Sequence, residues 1–313
     1  MTHPTTASRP PLRLRLWLAR IMLLLVVGLL PGCNAIFFQP DDLHYYDPAQ
    51  FDLWHEEVIF PSEDGTQLTG WFLPAKAKKA RGTVVVFHGN AANISNHVAG
   101  IRWLPHMGYS VFLFDYRGYG ISEGAPSRRG LVEDGAAAIN YVRSRKDVEK
   151  DKLIVYGQSL GGAVAVNALA LAGTEGVRAL VVEGGFASYK EVVRLIMHHT
   201  WFLWLFQYPV AYLGFSDGDH PLEVMDQVAN VPLLVIHGER DETVPVEAGQ
   251  QLFDAFPGKD KEMWRIPHAD HMAIFNARGS PWRGKLAQYL QTKLPPVPLA
   301  PRAYNPPEPH TKW

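Results

Sequence analysis

The sequence predicts an α/β fold, a mostly parallel central sheet flanked by helices. Two observations predict it. Short, strongly apolar runs recur along the chain, as strands covered on both faces require. Helix-compatible stretches alternate with those runs, the pattern of right-handed crossovers in an open sheet. Composition agrees, since 47% hydrophobic and 19% charged residues over 313 positions supply a sizeable core. The length is compatible with one large domain or two ordinary ones.

The first 32 residues stand apart by charge. They carry Arg9, Arg13, Arg15 and Arg20 and no acid, which leaves 26 of the 30 basic side chains against all 31 acidic ones in the remainder. A basic segment followed by the apolar run Ile21 to Leu30 reads as an export signal. The run is shorter than the roughly 20 residues of a spanning helix, although Leu16, Trp17 and Leu18 could extend it. Leu30-Pro31-Gly32-Cys33 resembles the bacterial lipobox, and Cys33 is the only cysteine in the chain. An intramolecular disulfide is therefore excluded. Lipidation at Cys33 is the leading expectation, with an uncleaved signal anchor and a buried free cysteine as alternatives. That resemblance implies a membrane-anchored lipoprotein facing the periplasm. Asn34, in place of an aspartate, points to the outer membrane.

Residues 33–54 read as a tether, with Pro40, Asp41, Asp42 and Pro48 arguing against regular structure. Glu57–Phe60, the Asp64-Gly65 turn and Gln67–Leu73 make a hairpin signature, and 74–82 a surface loop. The strand-like runs are Thr83–Phe87, Ser110–Asp115, Lys152–Tyr156, Ala179–Glu183, Pro232–His237 and Glu262–Ile266. Helix-compatible stretches are Val98–His106, Gly130–Arg145, Leu160–Leu171, Pro245–Phe256 and Pro281–Leu294. One hydrolase-sized domain over 55–294 results, interrupted at about 186–228 by a small cap insertion. That insertion contains the aromatic stretch Trp201 to Phe206. Residues 295–313 are Pro-rich and read as a tail. The overall formal charge of -1 and the absence of a basic stripe give no reason to expect nucleic acid as a partner.

Gly157-Gln158-Ser159-Leu160-Gly161 carries the chemistry. It follows an apolar strand and precedes a helix-compatible run, the strand, sharp turn and helix that a nucleophile elbow requires. A serine hydroxyl needs a base and an oriented partner for that base. Downstream, the run ending at His237 opens into Gly238-Glu239-Arg240-Asp241-Glu242. Asp241 is the leading acid, with Glu239 and Glu242 as alternatives, and these acids could also cap the next helix. The last apolar run ends in His268-Ala269-Asp270-His271. His271 is favoured as base over His268 because it lies deeper in the loop, directly before Met272-Ala273-Ile274-Phe275. The histidine pair lacks the company of a metal site. The oxyanion hole is expected from the amides of Leu160 and Asn90, with Ala91 as the alternative second donor. His88 shapes that loop; His198, His199 and His237 read as structural or solvated.

Together, His88-Gly89-Asn90, Asp115-Tyr116-Arg117-Gly118-Tyr119-Gly120, Gly157 to Gly162, His237 to Asp241 with Val244-Pro245, and His271 resemble the α/β-hydrolase superfamily. More narrowly they resemble its BEM46/ABHD13-type branch, over roughly residues 55–294. The resemblance implies the α/β-hydrolase fold and a structural role for Asp115–Gly120 below the site. It also implies a serine hydrolase with the triad Ser159, Asp241 and His271, acting on a small-molecule ester or thioester substrate without metal or organic cofactor. A peptidase or amidase is the alternative on the same fold, and a non-catalytic lipid-anchored binding protein the alternative from another class. The departures from the family are the N-terminal anchor, the Trp201–Phe206 stretch and the tail. The aromatic stretch could line an acyl cleft, be a buried helix or dip into the membrane. Acyl length and oligomeric state are not encoded in any motif.

Overall fold

The computed structural model describes residues 38–199, 208, 218–276 and 279–294. The signal-like segment, Cys33, Trp201–Phe206 and the Pro-rich tail lie outside the described residues.

The described strands are, in chain order, β1 (Gln39–Pro40), β2 (Glu56–Pro61), β3 (Gln67–Leu73), β4 (Thr83–Phe87), β5 (Ala91–Ala92), β6 (Ser110–Phe114), β7 (Leu153–Gln158), β8 (Val177–Glu183), β9 (Leu233–Gly238) and β10 (Lys261–Ile266). The described helices are α1 (Ile94–Ile101), α2 (Trp103–His106), α3 (Arg128–Ser144), α4 (Leu160–Ala172), α5 (Tyr189–His199), α6 (Val246–Ala255) and α7 (Pro281–Lys293). One eight-stranded sheet runs in the order β10-β9-β8-β7-β4-β6-β3-β2. The β2–β3 hairpin and the β3–β6 pair are antiparallel, and the other pairs are parallel. This is the α/β-hydrolase fold.

The continuous apolar runs follow from two-sided burial. On β4, Val84 and Val86 pack with Ile154, Tyr156 and Trp103 on one face. Val85 and Phe87 pack with Val155, Leu180 and Val164 on the other. Each such side chain contributes about 1.5–3 kcal/mol by leaving water. With both faces covered, a strand has no polar side to show, so alternation disappears from its sequence.

One helix departs from the sequence reading. The stretch expected over Val98–His106 begins instead at Ile94 and is broken into α1 and α2. Asn93 explains the earlier start, because its side chain accepts the Ser95 amide at 2.9 Å as an N-cap. Pro105 explains the break, since it has no N–H to donate to the carbonyl of Ile101.

The parallel strands share a direction, so their C-terminal ends lie along one edge, where open α/β sheets bind ligands. Ser159 follows β7, Gly184 follows β8, Asp241 lies just beyond β9, and His271 stands in the loop after β10.

Candidate active site

The turn from β7 to α4 sets Ser159 at φ 55° and ψ −121°. For a non-glycine residue this is a strained conformation that persists only where its surroundings enforce it. Two backbone bonds do so: the Ser159 amide donates to the Glu183 carbonyl at 2.8 Å, and the Gly162 amide donates to the Ser159 carbonyl at 2.9 Å. The flanking glycines are steric necessities. A Cβ at Gly161 would stand 2.1 Å from the Phe87 carbonyl oxygen, and one at Gly157 would stand 2.4 Å from that of Gly161. No side chain fits between helix and strand there.

The structure brings together Ser159, His271 and Asp241. Nδ1–H of His271 donates to Asp241 Oδ2 at 2.7 Å. Nε2 is then the acceptor for the Ser159 hydroxyl, 3.0 Å away. The carboxylate fixes this tautomer, because it can only accept. Asp241 is itself held: Oδ1 accepts the amides of Thr243 at 3.0 Å and Val244 at 2.7 Å. Burial alone would raise its carboxyl. The hydrogen bonds from His237 and His271, the His271 charge and the Val244 amide win instead and hold it down to about 2.

Of the alternatives, Glu239 and Glu242 are exposed on the same loop, and His268 is exposed at a turn with φ 60°. His271 is half-buried. His237, fully buried, donates from Nε2 to the Val244 carbonyl at 2.8 Å and so braces the Asp241 loop. His88 is also fully buried, and its Nδ1 lies 2.7 Å from the Gly89 carbonyl. Burial, with His97 nearby, lowers its pKa well below the usual imidazole range. Leu160 opens α4, so its N–H lies among the first-turn amides that have no acceptor within the helix. Asn90 sits in the loop after β4, with its carbonyl accepting the Tyr119 hydroxyl at 2.9 Å. The Asp115–Gly120 segment is fastened below the site. Arg117 binds the buried Asp134 through its amide at 2.8 Å and its guanidinium at 2.8–3.1 Å.

Sequence reasoning missed the seat of His271. Gly184, at φ 59°, lies under His271, and a Cβ there would stand 3.2 Å from Cε1 and 3.3 Å from Nδ1. The signal was present as Gly184-Gly185 at the end of an apolar strand. Glu183 was missed too. Its buried carboxyl accepts from the Tyr156 hydroxyl and, at 3.2 Å, from Gln158 Nε2. Burial raises its pKa. A groove of about 780 Å³ opens beside Asp241, bounded by Ile196 of α5 and by Glu239, Arg240, Glu242, Glu247 and Asp270. Its wall is predominantly acidic.

Comparison with known proteins agrees with this architecture. Residues 78–225 match the family described as serine aminopeptidase, S33. The uncharacterized protein YfhR of Escherichia coli K12 is 35% identical over 265 residues, covering 83% of this chain and 88% of the relative. Protein bem46 of Schizosaccharomyces pombe is 29% identical over 232 residues, covering 72% and 73%. Among solved structures, an esterase of Pyrococcus furiosus superposes with a TM-score of 0.67 at 20% identity, covering 83% of this chain and 98% of the esterase. That last likeness concerns the fold. With the elbow, the strand order and these relatives in hand, the chain belongs to the α/β-hydrolase superfamily, in the branch that contains YfhR and bem46.

Proposed function

We propose that this hydrolase is a serine esterase or thioesterase working through an acyl-enzyme. The observation that carries the reading is the unbroken hydrogen-bonded chain from Ser159 through His271 to Asp241, with the serine on a strained elbow. His271 Nε2 takes the Ser159 proton as the oxygen attacks a carbonyl carbon. Asp241 holds the Nδ1–H tautomer and stabilises the imidazolium that forms. The carbonyl oxygen, now an anion, settles on the amides of Leu160 and Asn90. His271 returns the proton to the leaving alcohol or thiol, and a water activated by the same base releases the acid. The substrate is a small-molecule ester or thioester.

A fluorophosphonate probe and a series of p-nitrophenyl esters of increasing chain length test this. The wild type is expected to label covalently and to turn over. Ser159→Ala is expected to do neither, and labelling that persists in Ser159→Ala would sink the assignment. Silence of the wild type in both assays would favour a non-catalytic binding protein.

A second reading has its own support. The acidic wall of the groove beside Asp241 and the aminopeptidase description of the matching family both favour substrates carrying a free amine. Aminoacyl p-nitroanilides cleaved faster than the best ester would establish it.

Cys33 and the segment before it support export and lipid anchoring, with the domain on the periplasmic side of a membrane. The wild type is expected to incorporate labelled palmitate and to lose residues 1–32, and Cys33→Ala to do neither. A wild type that keeps residues 1–32 and takes up no palmitate would favour an uncleaved signal anchor.

A further inference from the structure

The N-terminal tether does not simply lead into the domain; it is built into the loop that carries Asn90. Phe38 is only 2% exposed and belongs to the same core cluster as Leu160, Tyr116 and Tyr119. The Gln39 amide donates to Asn90 Oδ1 at 3.3 Å, and β1 pairs in parallel with β5, Gln39 opposite Ala91 and Pro40 opposite Ala92. The Asp41 carbonyl accepts the Gly120 amide at 3.0 Å. Asn93 Nδ2 donates to Asp41 O at 3.1 Å, to Asp41 Oδ1 at 3.0 Å and to Leu43 O at 2.8 Å. The Tyr45 amide closes the run on Ser95 Oγ at 2.9 Å.

The loop needs such support. Ala92 has φ 64° without being glycine, so the backbone two residues beyond Asn90 is strained and must be held from outside. A pair of two-residue strands cannot hold itself together. Here the burial of Phe38 on one side and the clamp of Asn93 on the other keep β1 against β5. An oxyanion donor is effective only when aimed within a fraction of an ångström of the developing charge.

We propose that residues 38–45 are a positioning strap for the oxyanion hole, so that the Asn90 amide is aligned only while the strap is seated. The inference rests on the serine-hydrolase reading and extends it, because it makes the tether part of the machinery rather than a spacer. Asp41 and Phe38 act through the loop and are positioning residues. Neither needs to touch substrate.

The test uses the full chain in detergent micelles, with p-nitrophenyl butyrate as substrate and a butyl trifluoromethyl ketone as a tetrahedral-adduct inhibitor. Asp41→Ala removes the side-chain half of the Asn93 clamp, and Phe38→Ala unseats the strap. A control replaces residues 34–37 by Gly-Ser-Gly-Ser and leaves the strap intact. Both point variants are expected to lose roughly 10- to 100-fold in kcat with KM within about 3-fold of wild type, as for a misaimed oxyanion donor. Ketone affinity is expected to fall by the same factor, and the control to match the wild type. A folded Asp41→Ala and a folded Phe38→Ala that both keep wild-type kcat would overturn the strap. So would a loss of activity with unchanged ketone affinity in the surviving active molecules, which marks a stability effect alone. A wild type that neither turns over nor labels would overturn the hydrolase reading itself, and the strap with it.

Discussion

Replacing Asp241 by asparagine probes the site through a single atom. Oδ1 accepts two backbone amides, from Thr243 and Val244, so an amide side chain must keep its oxygen there and turn its NH2 toward His271. Nδ1 of His271, 2.7 Å from that position, would then have to accept rather than donate. The proton moves to Nε2, which faces Ser159 and can no longer take the hydroxyl proton. The fold survives while the base is lost. By analogy with the serine-protease triad, kcat is expected to fall roughly 10³- to 10⁴-fold, about 4–5.5 kcal/mol of transition-state stabilisation. Stability should change as well. The Asp241 carboxyl is lowered from 3.8 to about 2, so its ionised form contributes stability above pH 4 that is lost as the pH falls through about 2. At neutral pH that contribution is at most about 2 kcal/mol, and the variant forfeits it. Steady-state kinetics on the best p-nitrophenyl ester, paired with urea melts at pH 3 and pH 7, read both effects. Activity within 10-fold of wild type would refute the tautomer argument.

Three further outcomes are expected. His271→Ala is expected to cost orders of magnitude in kcat and His268→Ala little, since His268 is exposed while His271 lies 3.0 Å from the Ser159 hydroxyl; the reverse kinetic ranking would exchange their roles. Gly184→Ala places a Cβ 3.2 Å from the His271 ring in a backbone conformation that disfavours it, so kcat is expected to drop at least about 10-fold with the fold intact, as for other misplaced catalytic groups; unchanged kinetics would show that the ring has room to shift. The Asp115 carboxyl is pushed up to about 7, chiefly by burial, so the wild type loses stability as the pH rises from the ordinary carboxylate range to about 7. Asp115→Asn keeps an acceptor for the Ile94 amide and is expected to flatten that slope, which urea melts between pH 4 and pH 8 would show.

What could be read from the sequence was what neighbouring residues decide together. The strands were legible because burial on both faces leaves an uninterrupted apolar run, as in Leu153 to Tyr156. The elbow was legible because strand, turn and helix are contiguous around Ser159. Asp241 and His271 were harder, since each had rivals a few residues away. Oδ1 of Asp241 bonded to two amides, and the positive φ values of His268 and Met272, are properties of turns that residue type alone does not determine. The break at Arg102 required weighing Pro105 against an otherwise helical stretch. The strap was invisible for a different reason: Gln39 and Asn90 are 51 residues apart, and nothing in either segment names the other. Irregular segments with no periodicity still fold into fixed contacts when their backbone groups find distant partners.

β10 lies at the edge of the eight-stranded sheet and is paired on one side only, with β9. The proposed base stands in the loop that follows it. Edge strands fray at lower free energy than central ones, so a brief detachment of β10 would remove the imidazole while Ser159 stayed in place on β7. Catalysis would then fade below the global melting temperature. The same strand is also the last of the sheet to be synthesised. A chain still emerging from the ribosome would therefore carry the proposed nucleophile without the proposed base, and the proposed chemistry would have to wait until the final strand had docked.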